Sequence, residues 1–176
     1  MKSRSFGSGN PSRPSGSRFR TASDQSSLEL LSDNDGSVLF GWVADGVLYT
    51  RFHGGMNAET GYIYATRLGS LVGPAQSICF FCDSSELKNY DLLARSAFAR
   101  VILSSRRKFT SLVMLTWAEG PSASSQALAA TLGEPIEILT SVNSFEARLS
   151  RQAPLVSRKL DPKTWVTVDR STASTR

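Results

Sequence analysis

Apolar, β-branched and aromatic residues crowd two short runs, Val38–Ala44 and Val47–Phe52, separated only by Asp45-Gly46. Such runs on either side of a two-residue Asp-Gly pair predict a β-hairpin closed by a type I′ turn. Paired glycines at 54 and 55 then end the second strand, and Asn57 stands where a helix N-cap belongs, with Glu59 in the first turn. Ala58, Tyr62, Ala65, Leu68 and Val72 recur at helical spacing, so a helix over 58–72 is predicted with that face inward and with Gly73-Pro74 as its stop.

Further along, Ile78–Cys82 is an unbroken apolar run bounded by polar residues, the pattern of a central strand covered by helices. A helix from about Tyr90 to Ser105 follows, and Arg106, Arg107 and Lys108 fall where cations complement its C-terminal dipole. Phe109–Trp117 reads as a second buried strand. Pro121 opens a short Ala-rich helix that Gly133 closes, and Ile136–Leu139 forms the last strand. Asn143 and Glu146 have capping-box spacing at the start of a final helix whose Val142, Phe145 and Leu149 share one side. After the hairpin, strands alternate with helices, and right-handed crossovers place those strands parallel in one sheet. The predicted class is α/β: a mixed, mainly parallel sheet of about five strands with three to four helices, preceded by the hairpin.

Composition sharpens the boundaries. The chain has 176 residues and a net charge of +5, and its first 23 residues hold five basic side chains and no acid among many Ser, Gly and Pro. Such a stretch cannot bury enough apolar surface to offset its ordering entropy. Residues 1–35 are therefore read as a disordered basic tail, 36–149 as the folded domain and 150–176 as a second, mostly extended basic tail. Within the second tail Trp165-Val-Thr-Val168 is an apolar island suited to docking as an added strand. Between Val38 and Leu149 nine basic residues balance nine acids, so the excess charge belongs to the tails. Contact with nucleic acid is then expected only weakly, through those tails.

No apolar run approaches the length needed to cross a bilayer, and no signal segment follows the basic N-terminus, which predicts a cytoplasmic protein. Cys79 and Cys82 have C-x-x-C spacing inside a strand, where an odd separation points them to opposite faces. His53 is the one histidine, so a zinc site lacks ligands, and no metal or cofactor is expected. No nucleophile motif or phosphate-binding glycine loop is present, and the chain does not read as an enzyme.

The element order, with Ile78–Asp91 and the closing Ser141–Leu149, resembles the STAS superfamily of anti-sigma-factor antagonists (SpoIIAA-like), in its STAS/SEC14-like branch. In that family a buried strand ends in Asp, a turn of seven or so residues follows, and a second Asp opens a helix; Asp83 and Asp91 stand at those places. The resemblance implies a regulatory protein-interaction module whose partner is a regulatory kinase or an anti-sigma-type protein. An alternative it also implies is a small-molecule or lipid-binding module. Switched members carry Ser or Thr after the second Asp; here Leu92 stands there and carries no phosphate.

In an open parallel sheet, functional groups gather where strand C-termini meet helix N-termini. That rim is expected to show Asp83, Ser84, Ser85, Asp91, Leu92 and Trp117. Plotted at 100° per residue, Leu93, Ala94, Ala97, Phe98, Val101 and Ile102 face the sheet, while Leu92, Ala99 and Leu103 lie outward beside Arg95, Ser96 and Arg100. Leucines among arginines on an outward arc point to a partner-binding stripe.

Overall fold

Side chains alternate across a strand, so a strand apolar at every position needs cover on both faces. The protein supplies that cover with a single sheet between two helical layers. A computed structural model describes residues 28–116, 136–160 and 166–168. The strands are β1 (Glu29–Ser32), β2 (Gly36–Ala44), β3 (Val47–Met56), β4 (Ile78–Tyr90), β5 (Phe109–Leu115), β6 (Ile136–Leu139) and β7 (Val166–Thr167). The helices are α1 (Ala58–Val72), α2 (Leu92–Ser104), α3 (Val142–Gln152) and the short α4 (Val156–Lys159), with a 3-10 turn at Arg106–Lys108. The sheet order is β6-β5-β4-β3-β2-β1-β7. Strands β3 to β6 run parallel, β1-β2-β3 antiparallel, and β7 parallel to β1.

One face packs Phe40, Leu48, Phe52, Phe80, Cys82 and Leu112 against α1 and α2; the other packs Leu39, Tyr49, Phe81 and Val113 against Phe145 and Leu149 of α3. Tyr64 is the hub of the first core. Its ring meets Phe40 and Phe52 edge-on at 5.1 and 5.5 Å and stacks on Phe98 at 5.8 Å, and its hydroxyl pairs with Thr50 Oγ1 at 3.0 Å. Burial pushes the Tyr64 phenol up, so it stays neutral. Cys82 lies in the first core and Cys79 against the second, on opposite faces as their spacing requires.

The α/β class with a mainly parallel sheet stands, but the sheet has seven strands rather than about five, because the hairpin belongs to it and two further strands join beyond the hairpin. These are β1 and β7, drawn from segments read as tails. Leu28, Leu31, Ala153 and Val156 are all buried, so packed structure extends beyond 36–149 at both ends. Of the Trp165–Val168 island, residues 166–168 are described and dock on the domain: Val166 N donates to Leu28 O at 2.8 Å and Val168 N to Leu30 O at 2.9 Å.

Local corrections follow from backbone geometry. A type I′ turn needs positive φ at both central residues. Here only Gly46 has it (66°), and a register shift between Trp42 and Ala44 absorbs the difference. Gly54-Gly55 does not end β3, which continues to Met56 with Gly54 at φ 73°. Helix α1 spans 58–72 with Asn57 as cap, its Oδ1 accepting from Thr60 N at 2.9 Å. Tyr62, however, is exposed, and Ile63 and Tyr64 take the inward places. The residue that seats this helix is Asp33, whose carboxylate accepts from Asn57 Nδ2, Thr60 Oγ1 and the amides of Asp35 and Gly36.

Lys108 does not cap its own helix, because the 3-10 turn swings its amine onto the carbonyls of Val72 and Gly73 at the end of α1. Helix α3 is capped by Ser141 rather than Asn143, and Val142 is exposed. The helix expected over 121–133 lies outside the described residues. No helix among the described residues is long and apolar enough to cross a membrane.

Candidate partner-binding surface

The segment joining the two aspartates is strand, not turn. Strand β4 runs on past Asp83 to Tyr90, pairing His53 with Glu86, Gly54 with Leu87, Gly55 with Asn89 and Met56 with Tyr90 across two register shifts. At about 3.3 Å per residue, the eight steps from Asp83 to Asp91 span at most about 26 Å, somewhat shortened by the two register shifts. The expected rim therefore divides into two places.

The first surrounds Asp83, which is buried. Its Oδ1 accepts from Ser85 N (3.1 Å) and Ser85 Oγ (2.6 Å), and its Oδ2 lies 3.6 Å from Arg51 Nε. Ser84 Oγ donates to Leu115 O at 2.7 Å, which ties β4 to the end of β5. Arg51 also reaches Glu86 Oε2 (3.1 Å), and so does His53 Nδ1 (3.2 Å). The hydrogen bond from His53, helped by the Arg51 charge, holds the Glu86 carboxyl below its ordinary value. Sequence reasoning missed Arg51 and Glu86 as part of this cluster, since only the β3–β4 register brings them to Asp83. A regular register would set His53 opposite Ser85; the shift between Arg51 and His53 sets it opposite Glu86 instead, and no local pattern signals that shift. In this place the serine hydroxyls and the carboxylates all have partners: Ser85 on Asp83, Ser84 on the Leu115 carbonyl, and Glu86 on Arg51 and His53.

The second place is the start and outer face of α2. Asp91 is the N-cap: its Oδ1 accepts from Leu93 N at 2.7 Å, and its own amide donates to Met56 O at 2.8 Å. The helix thus begins where β3 and β4 end together. Leu92 follows at once and is 70% exposed; Leu103, about three turns on, is 40% exposed. Ser96 is exposed but donates its hydroxyl to Leu92 O at 2.8 Å. Ala99 and Arg95 are half-buried and Arg100 is exposed. The outward arc is therefore where the periodicity put it, with one change. Leu93, expected to face the sheet, is 68% exposed, because the contact with α1 centres on the next residue, Ala94. Trp117 lies outside the described residues.

No family model matches this sequence, and no curated protein matches it. Among solved structures, one that superposes is a protein from Shewanella loihica PV-4, described as an uncharacterized member of the DUF3478 family with a SpoIIAA-like fold. The TM-score is 0.55 at 15% identity, and the match covers 67% of this chain and 98% of that one. This chain has a SpoIIAA-like fold. At that identity the likeness concerns the fold alone, and it agrees with the fold that the STAS resemblance implies. Relative to the family pattern stated above, the SpoIIAA-like domain here keeps an aspartate at the helix start and replaces the preceding turn by a strand extension.

Proposed function

We propose that this domain is a non-catalytic regulatory module that binds a protein partner through the outer face of α2, without the phosphorylation switch of its switched relatives. The observation that carries the reading is Leu92: the first helical residue after the Asp91 cap is an exposed leucine, where a switched relative has a phosphoacceptor. A hydroxyl there would bring close to two negative charges to a helix N-terminus on phosphorylation, whereas leucine offers constant apolar area. Exposed leucines beside arginines have the composition of an interface centre and its rim. The charged cluster at Asp83 supports a structural role for that place, since its groups satisfy one another.

The test is affinity capture from the native cell with the full chain and with the variant Leu92→Asp/Leu103→Asp, read by mass spectrometry. Both positions are exposed, so the circular dichroism spectrum and melting temperature are expected to be unchanged while the physiological partner is lost. Undiminished capture by the folded variant removes α2 from the reading. Phosphate on Ser84, Ser85 or Ser96 in the native protein, together with altered partner binding, overturns the claim that the switch is gone.

A further inference from the structure

The charge balance of the domain as a whole conceals a local imbalance. Residues 92–108 contain Arg95, Arg100, Arg106, Arg107 and Lys108 and no acid. Lys108 is committed to the end of α1. The four arginines have no carboxylate partner among the described residues. At 100° per residue, Leu92, Leu103, Ser96, Arg100 and Leu93 fall in that order within one arc of about 100°, and all five are exposed. Arg100 lies within that arc, Arg95 is half-buried on its other flank, and Arg106 and Arg107 stand on the 3-10 turn just past the helix end, so positive charge borders the apolar stripe on both sides and at one end.

Resting on the reading of α2 as the partner surface, we propose that the segment it receives is an acidic amphipathic helix of the partner. The shape of the stripe favours a helix over a flat surface. Leu92 and Leu103 stand about 16 Å apart along the helix axis, and the side chains between them on the stripe are small, Ser96 and Ala99. The Ser96 hydroxyl is turned back onto Leu92 O, so the middle presents little more than a methylene and a methyl group. The side chains between the two leucines are therefore shorter than those at the ends, which leaves room for the ridge of another helix. A helix crossing α2 fills that room with the side chains of its own ridge. Carboxylates flanking that ridge then meet Arg95, Arg100, Arg106 and Arg107, which can receive them bidentately. Nucleic acid would engage the arginines but leave the leucines facing sugar and phosphate.

The test titrates the full chain, by fluorescence anisotropy, with a labelled amphipathic peptide carrying leucines at i, i+4 and i+7 flanked by glutamates, and with a twin whose glutamates are lysines. The glutamate peptide is expected to bind at least about tenfold more tightly than its twin, with an affinity that falls as salt is raised. Arg95→Glu/Arg100→Glu is expected to invert that preference, and Leu92→Asp/Leu103→Asp to abolish binding of both peptides at unchanged melting temperature. Equal binding of the two peptides, or indifference to the arginine reversal, overturns the acidic-helix assignment. So does binding to phosphatidylserine vesicles by the same residues without peptide binding. These outcomes are separable from the broader reading: if native capture depends on Leu92 and Leu103 but the peptides do not discriminate, only the helix assignment falls. If the peptides behave as expected while native capture ignores both leucines, it is the broader reading that falls.

Discussion

Gly61 of α1 and Ala94 of α2 meet so closely that a Cβ built on the glycine would lie 2.1 Å from the alanine Cβ and 2.6 Å from its Cα. No rotamer relieves such an overlap, since both atoms are fixed to backbone. This contact sets how near the two helices approach, and hence where the α2 stripe sits above the sheet. Gly61→Ala would gain about 1 kcal/mol of intrinsic helix propensity in isolation. In the protein the overlap is expected to outweigh that gain and give a net loss of roughly 1–3 kcal/mol. Chemical denaturation measures it. The double variant Gly61→Ala/Ala94→Gly is expected to recover part of the loss; a single variant as stable as the wild type contradicts the contact.

Asp91 serves two readings, a helix cap and a member of the partner surface, and substitution separates them. Asp91→Ala removes the acceptor for Leu93 N and should reduce stability by about 0.5–2 kcal/mol. Asp91→Ser keeps an acceptor and should restore most of it. If partner capture follows stability through this series, the cap explains the residue. Loss of capture in the stable serine variant assigns the carboxylate a direct contact as well.

How much of this arrangement was legible beforehand depends on where periodicity survives. The bounds of α1 were readable because Asn57, the recurring apolar residues and Gly73-Pro74 all agree. The extension of β4 was not. Asp83 to Tyr90 is a polar stretch with Leu87 as its one aliphatic residue. It overruns β5, which stops opposite Asp83, so much of it lies outside the two-sided burial that makes a central strand recognisable. The segment therefore reads as a turn, although backbone pairing with β3, across two register shifts, holds it extended. Strand β1 was hidden for a related reason: it is four residues long and abuts a polar tail. The outward arc of α2 was legible, since helical spacing alone defines it; the position of Leu93 was not, because it depends on where α1 crosses. Arg51 and Glu86 come together only through inter-strand register, which no local pattern encodes.

Glu86 provides a pH-dependent check on that register. Its carboxyl is held below the ordinary value by the hydrogen bond from His53 and by Arg51. A depressed folded value means that the associated stability is present above the unfolded pKa and is lost as pH falls through the folded one. The group is about half exposed, so the contribution is small. The measurement is an NMR titration of the Glu86 side chain. Its midpoint is expected below that of an unperturbed glutamate in the wild type, and to rise toward it in His53→Ala and in Arg51→Ala. A midpoint indifferent to both substitutions places Glu86 elsewhere.

The last prediction concerns the far edge of the sheet. Strand β7 covers β1 with two residues, held by Val166 N to Leu28 O and Val168 N to Leu30 O. Unpaired strand edges template association with other chains, and native proteins protect them. This short guard is held by these hydrogen bonds, each worth about 0.5–1.5 kcal/mol net, and by Val168, which packs half-buried against the first core. It should be easily displaced. Val166→Pro/Val168→Pro removes both donors while leaving the chain length and charge intact. The expected result is a small drop in melting temperature with concentration-dependent self-association, seen by analytical ultracentrifugation. Lysine substitution on β1 at Leu30, a half-buried position on the strand that β7 covers, should suppress that association. A proline variant that stays monomeric at high concentration would show that β1 needs no guard, and that the docking of β7 serves only to tether the end of the chain.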